Sequence, residues 1–220
     1  MTDTADRFAE FAMPDTDLTR AVHDLAFAAE LRALAHHSVR VYLFGRALGE
    51  ARGLRPGDAY DDELLFVACL LHDMGLTEQG DGDQRFEVDG ADLAAGFLEG
   101  YGVAPDRIRV VWEAIALHTS VGIPPRMRPE IALTSAGAGA DIAGLQADRL
   151  PDGYADRVHA AYPRLEPGGG LTHLVVDQIV RNPRKAPLGT LPYEIARQLG
   201  ADIPLPSWTE QVGGAWRGVA

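Results

Sequence analysis

This 220-residue sequence predicts an all-α fold, and three observations carry the prediction. Apolar residues recur at three- and four-residue steps over long segments, as a helix with one core-facing stripe requires. Helix punctuation stands at the ends of those segments: Asp61 or Asp62, Pro105 and Gly53 occupy start or stop positions. Little of the chain shows the period-two alternation of a half-buried strand.

Taken in order, the first strong helix is expected over residues 17–52, stopped by Gly53 and followed by a turn at Arg55, Pro56, Gly57 and Asp58. The next is capped by Asp61 or Asp62. Its apolar run over residues 64–71 ends at His72 and Asp73, with Gly75 to stop it. Residues 77–84, rich in Gly and Asp, form a loop directly after that doublet, where substrate could enter. Helices follow over residues 89–101, 106–119 and 130–146, the second opened by Pro105. The proline-stiffened connector 120–129 is either a pocket wall beside His118 or a plain link. Short helices are expected over 154–162, 171–181 and 193–199, joined by the Pro- and Gly-rich stretch 167–170 and the loop 183–192. Trp208 and Trp216 lie in a Gly-rich tail, where aromatic residues most often pin a terminus to the body or to a partner subunit.

Composition bounds the function. A chain this long with 46% hydrophobic residues can bury a full core as one domain. A formal charge of -12 repels nucleic acid and anionic membranes, so neither is an expected partner. Arg126, Arg128 and Arg109 could still hold one small anion. The start carries no basic segment followed by an apolar core, and the longest apolar run falls far short of the roughly 18 residues a spanning helix needs. A cytoplasmic enzyme acting on a small molecule, with a homo-oligomer possible, is the expectation. Cys69, the single cysteine, cannot form an intrachain disulfide and reads as packing.

Chemistry concentrates in a few polar residues on apolar faces. The doublet His72 and Asp73 offers an imidazole and a carboxylate side by side at the end of a core helix. His37 shares the stripe of Leu34, Val41, Phe44 and Leu48 and points inward, whereas His36 lines up with Arg32, Arg40 and Leu43 and points away. His118 shares a face with Ile108, Val111 and Ile115. Asp141 shares one with Ile131, Thr134, Ala138 and Leu145, a costly place for a carboxylate unless it is paired or bound to a cation. Ala136, Gly137, Ala138 and Gly139 let that helix approach its neighbours closely. His159 and His173 match no motif and read as surface or packing residues.

The order His, His-Asp, Asp resembles the HD-domain superfamily of metal-dependent phosphohydrolases. The stretches at residues 37–45 (HSVRVYLFG), 86–91 (FEVDGA) and 113–119 (EAIALHT) are similar to its cyanamide hydratase-like branch. The resemblance spans about residues 35–144. It implies an HD-domain bundle of about seven to nine helices around a metal site. One domain would cover residues 1–200, with a metal core at 17–146, added helices at 154–199, and a tail at 201–220. It implies His37, His72, Asp73 and Asp141 as metal ligands. Dinuclear relatives carry further histidines between the doublet and the last Asp, and none stands between His72 and His118 here, so one metal is expected. Glu87 could replace a missing ligand, or pair with Arg85 or contact substrate; Phe86 and Thr119 are the other candidate substrate contacts.

Imidazoles and carboxylates without thiolates suit one divalent ion, zinc by preference, with iron, manganese or nickel compatible. Such an ion acidifies bound water, so hydration or hydrolysis is the expected reaction. Asp73 and His118 are the candidate catalytic residues, with His118 a proton shuttle, a fifth ligand or an orienting group. A hydratase or hydrolase of a small nitrogen-containing compound such as a nitrile or cyanamide is preferred. A phosphohydrolase of a nucleotide or phosphomonoester is the alternative, and a silent binding module comes third.

Overall fold

The computed structural model describes residues 4–165, 170–199 and 203–214, and these form eleven α-helices without a strand. Eight were expected from the sequence. The three extra are α1 (Thr4–Glu10), α11 (Trp208–Gly214), and one gained because the predicted helix 17–52 is broken into α2 (Asp17–Ala29) and α3 (Arg32–Ala51). At the break Glu30 and Leu31 adopt ψ of 148° and 143°, outside helical space, although neither is a helix breaker. The cause is tertiary: the bend turns Glu30 inward, 7% exposed, where its carboxyl accepts from the Ser38 hydroxyl at 3.2 Å.

Helix α3 is the central element. Every residue from Leu34 to Gly45 is buried, polar ones included. The one-face reading of this helix therefore fails for His36 and Arg40, which are 5% and 3% exposed rather than turned to solvent. His36 bonds the Pro163 carbonyl oxygen at 3.1 Å and packs edge-on to Tyr162.

Helix α4 (Asp62–Leu71) is capped by Asp61, whose Oδ1 accepts from the Leu64 amide at 3.1 Å, and is buried all round from Leu64 onward. Gly75 does not end it. The helix stops at Leu71, and the chain passes through His72 and Asp73 into a 3₁₀ turn, Met74–Leu76. Gly75 is needed there because a Cβ would run into the Phe86 carbonyl at the start of α5 (Phe86–Gly100), which begins three residues before its expected start.

Helices α6 (Pro105–Leu117) and α7 (Pro129–Ala143) complete the bundle, and Gly144 ends α7 at φ +66°. The small-residue segment does bring α7 against α3: a Cβ on Gly45 would lie 2.6 Å from the Leu133 carbonyl oxygen, and one on Gly137 would run into the Val41 carbonyl. Helix α8 (Tyr154–Ala161) covers α3, and α9 (Gly170–Arg181) and α10 (Leu191–Gln198) close a smaller core around Leu34, Leu76 and Phe86.

Those last helices bind down the turn after the doublet. Gln178 Nε2 donates to the Gly75 carbonyl at 2.7 Å, and buried Lys185 reaches Asp81 at 2.6 Å and Asp89 at 2.9 Å. The 77–84 loop is thus tied in place rather than left open as an entrance. Trp208 is 72% exposed and so does not pin the tail to the body, while Trp216 and residues 167–169 of the expected linker lie outside the described residues. No helix among the described residues is long and apolar enough to cross a membrane.

Candidate metal centre

Four side chains from α3 and from the ends of α4 and α6 converge. His37 comes from α3 itself, His72 is the residue capping the end of α4, Asp73 follows it, and His118 caps the end of α6. His37 Nε2 lies 3.2 Å from His72 Nε2 and 3.5 Å from Asp73 Oδ2, and His72 Nε2 lies 3.3 Å from the same oxygen. These three side chains are buried, and they are the group among the described residues whose donor atoms come close enough to share one ion. His118 Nε2 stands 3.7 Å from Asp73 Oδ1, with its ring perpendicular to that of His72.

The hydrogen bonds fix the tautomers. His72 Nδ1–H donates to the Cys69 carbonyl at 2.7 Å and His118 Nδ1–H to the Ile115 carbonyl at 2.7 Å, each ring folding back on the last turn of its own helix. His37 Nδ1–H donates to Asp141 Oδ2 at 2.6 Å. All three Nε2 atoms then carry lone pairs. Two of those lone pairs face each other at 3.2 Å, where no proton joins them in the neutral rings. Beside them Asp73 Oδ2 is buried and accepts no hydrogen bond. An unsatisfied buried acceptor costs about 1–3 kcal/mol or more. A cation among these atoms relieves both defects, so the residues fit a divalent ion with imidazole and carboxylate donors.

Electrostatics agree. Burial alone would raise Asp73, yet His72 foremost, then His37 and His118, hold it well below the usual carboxylate range. Burial lowers His37, and pushes His118 down to about 4 with help from the neighbouring His72. For His72 burial works in the same downward direction, but Asp73 outweighs it and the net shift is upward. Positive charge is drawn to the pair of His72 and Asp73. Cys69, one turn before His72, is pushed up to about 12 by burial and contacts Thr134, in keeping with a packing role.

Other expected site residues fall elsewhere. Asp141 is not in the close group: it stands behind His37, with both oxygens on Arg40 at 2.7 and 2.8 Å. Glu87 and Thr119 are turned on each other, hydroxyl to carboxylate at 2.5 Å, and Arg85 bonds both. Their polar atoms tie the start of α5 to the end of α6, with both carboxylate oxygens of Glu87 engaged. Phe86 packs edge-on to His118 at 5.8 Å. Arg109 and Arg128 pair with Glu113 and Glu130 instead of forming an anion cluster. His159, expected as a surface or packing residue, places Nε2 3.7 Å from Asp141 Oδ1. Sequence reasoning missed Arg40. Its spacing of three residues from His37 puts both on neighbouring positions of one helix, a signal hidden by assigning Arg40 to an outward row.

Residues 34–148, just over half of the chain, match the family model described as HD domain. None of the curated proteins matches the chain. HD domains bind divalent metals and are typically metal-dependent hydrolases, and the buried group of His37, His72 and Asp73 could hold such an ion. With its doublet at the end of a buried helix and its helical bundle closed around it, the chain belongs to the HD-domain family.

Proposed function

We propose that the protein is a metal-dependent hydratase or hydrolase of a small nitrogen-containing compound such as a nitrile or cyanamide. A cavity that meets the centre through His37 alone carries this reading. It has a volume of about 90 Å³, with His37 in its wall and Leu31, Leu34, Ile142, Leu171 and Leu174 making much of the rest. Sites for drug-sized ligands run to roughly 300–1,000 Å³. A cavity this small and apolar suits a neutral molecule of a few heavy atoms. Arg40 also reaches it, but with its charge engaged by Asp141. The similarity of residues 37–45, 86–91 and 113–119 to the cyanamide hydratase-like branch supports the same choice.

His37, His72 and Asp73 would hold one divalent ion, zinc by preference, with iron, manganese or nickel compatible. When bound, that ion supplies a Lewis acid and lowers the pKa of water from about 15.7 toward about 7. The chain's own part is proton handling. Depressed to about 4, His118 is neutral near pH 7 and offers Nε2 as a base. The proton leaving the attacking water goes to that nitrogen and from there to the substrate nitrogen, so that water adds across the C≡N bond to give an imidic acid, which becomes the amide when its O–H proton moves to nitrogen. Asp73 Oδ1, 3.7 Å away, steadies the imidazolium formed in between, and Phe86 holds the ring edge-on.

A phosphomonoester or nucleotide hydrolase is the second reading, and one observation favours it. Arg164 lies exposed in the cavity wall and makes no ion pair among the described residues, so it could meet a phosphate. The metal-loaded protein, assayed against a panel of small nitriles, amides and phosphate esters, is expected to give its highest kcat/KM on a small neutral nitrogen compound. Phosphate release with no turnover of nitriles or amides reverses the order of the two readings.

A further inference from the structure

We infer that the cleft between α2, the start of α3 and the end of α8 is a second ligand site, one that takes a flat aromatic ring carrying a carboxylate or phosphate group. It shares no wall residue with the cavity at His37. Its volume is about 650 Å³, within the roughly 300–1,000 Å³ of small-molecule sites. The rings of Phe27, His36 and Tyr162 shape it. His23 stacks on Phe27 at 4.2 Å and steadies it, Phe27 and His36 are tilted at 6.1 Å, and His36 stands perpendicular to Tyr162 at 5.7 Å. Ring faces set at angles around a cleft suit a flat aromatic group, which can meet them offset-stacked or edge-on. An aliphatic ligand forgoes those contacts.

Charge selects the rest of the ligand. In a chain of formal charge -12, this cleft is walled by the guanidinium groups of Arg7 and Arg32. Arg32 is exposed, and its guanidinium makes no hydrogen bond or ion pair among the described residues. Arg7 lies over the Tyr162 ring at 5.2 Å while its Nη1 donates to the Ala161 carbonyl, which fixes it at the end of α8. Glu30 is the acidic residue of the wall, and its buried carboxyl accepts from the Ser38 hydroxyl. Burial foremost, then the charge of Asp73, keeps it protonated well above the ordinary 4.5, so it offsets neither guanidinium. His36 senses the same field: burial lowers it, and Arg32, Arg40 and Arg7 lower it further against the pull of the Pro163 carbonyl. A guanidinium with no partner offers paired N–H donors that match a carboxylate or a phosphate.

The test titrates the full chain with benzoate and with phenylphosphonate, followed by ¹H–¹⁵N NMR. One equivalent of either is expected to bind with a Kd of about 1 mM or less, moving the amide signals of Phe27, Arg32 and His36. Cyclohexanecarboxylate, which keeps the charge without the aromatic ring, and benzamide, which keeps the ring without the charge, are each expected to bind about tenfold more weakly. Arg32→Gln, an exposed change that leaves the fold intact, is expected to weaken both probes about tenfold. His72→Ala, which disables the metal centre, is expected to leave them unchanged. The tighter of the two probes identifies the anionic group the site prefers. Absence of binding overturns the inference, as does an affinity that Arg32→Gln does not move. Cyclohexanecarboxylate or benzamide binding as tightly as the probes overturns the ligand class, and binding lost in His72→Ala puts the anion at the metal centre instead of the cleft.

Discussion

Glu30 marks where single residues of this chain depart from the behaviour their type predicts. It is buried at the bend between α2 and α3, and the Ser38 hydroxyl is its hydrogen-bond partner. Burial, and after it the charge of Asp73, raise it well above the ordinary 4.5. The folded chain keeps this proton at pH values where the unfolded chain has released it. Its contribution to stability is accordingly full below the unfolded-state value and is lost as pH rises through the folded-state value. Glu30→Gln has no proton to lose. Its Tm relative to wild type should therefore climb between about pH 5 and about pH 8. A difference in Tm that stays constant across that range would mean that Glu30 is ionised in the fold. His72 and His118 follow a different residue-scale rule, each bonding a carbonyl three residues back at the end of a helix and so presenting Nε2 outward from that helix.

Between elements, the crossing of α3 and α7 sets the geometry that the centre depends on. Gly45 and Gly137 bring the two backbones together, and the contact places Asp141 of α7 beside His37 and Arg40 of α3. Alanine normally favours a helix over glycine by about 1 kcal/mol. At Gly137 that gain meets a Cβ driven into the Val41 carbonyl of the facing helix, backbone against backbone, and neither side can turn away. Gly137→Ala is expected to destabilise by about 1–3 kcal/mol through overpacking and to weaken metal binding with it. Gly96 in α5 is exposed with open space around its Cβ direction, so Gly96→Ala should stabilise by up to about 1 kcal/mol. Denaturant unfolding of the pair checks both signs. Equal effects at the two positions would show that the crossing is looser than these contacts imply.

At the scale of the whole molecule, the centre joins α3, the ends of α4 and α6, and through Asp141 also α7. Metal binding should therefore stabilise the entire bundle. Chelation is expected to lower Tm by on the order of 10 °C, and one equivalent of metal per chain to restore it. A second tightly bound equivalent, or no change in Tm on chelation, is the contrary result. By itself, the sequence determined the all-α class, the caps and most helix spans, because periodicity and punctuation are local properties of the chain. It also determined the doublet as the heart of the site, since two adjacent donors need no fold to be neighbours. The helix break at Glu30, the burial of His36 and Arg40, and the partners of Asp141 and Glu87 were decided only by tertiary structure. Helical phase assigns α3 one inner face, but other helices surround it. Whether a carboxylate meets a metal, a histidine or an arginine depends on side chains a hundred residues away, whose approach is set by how closely two glycine-lined backbones can pack.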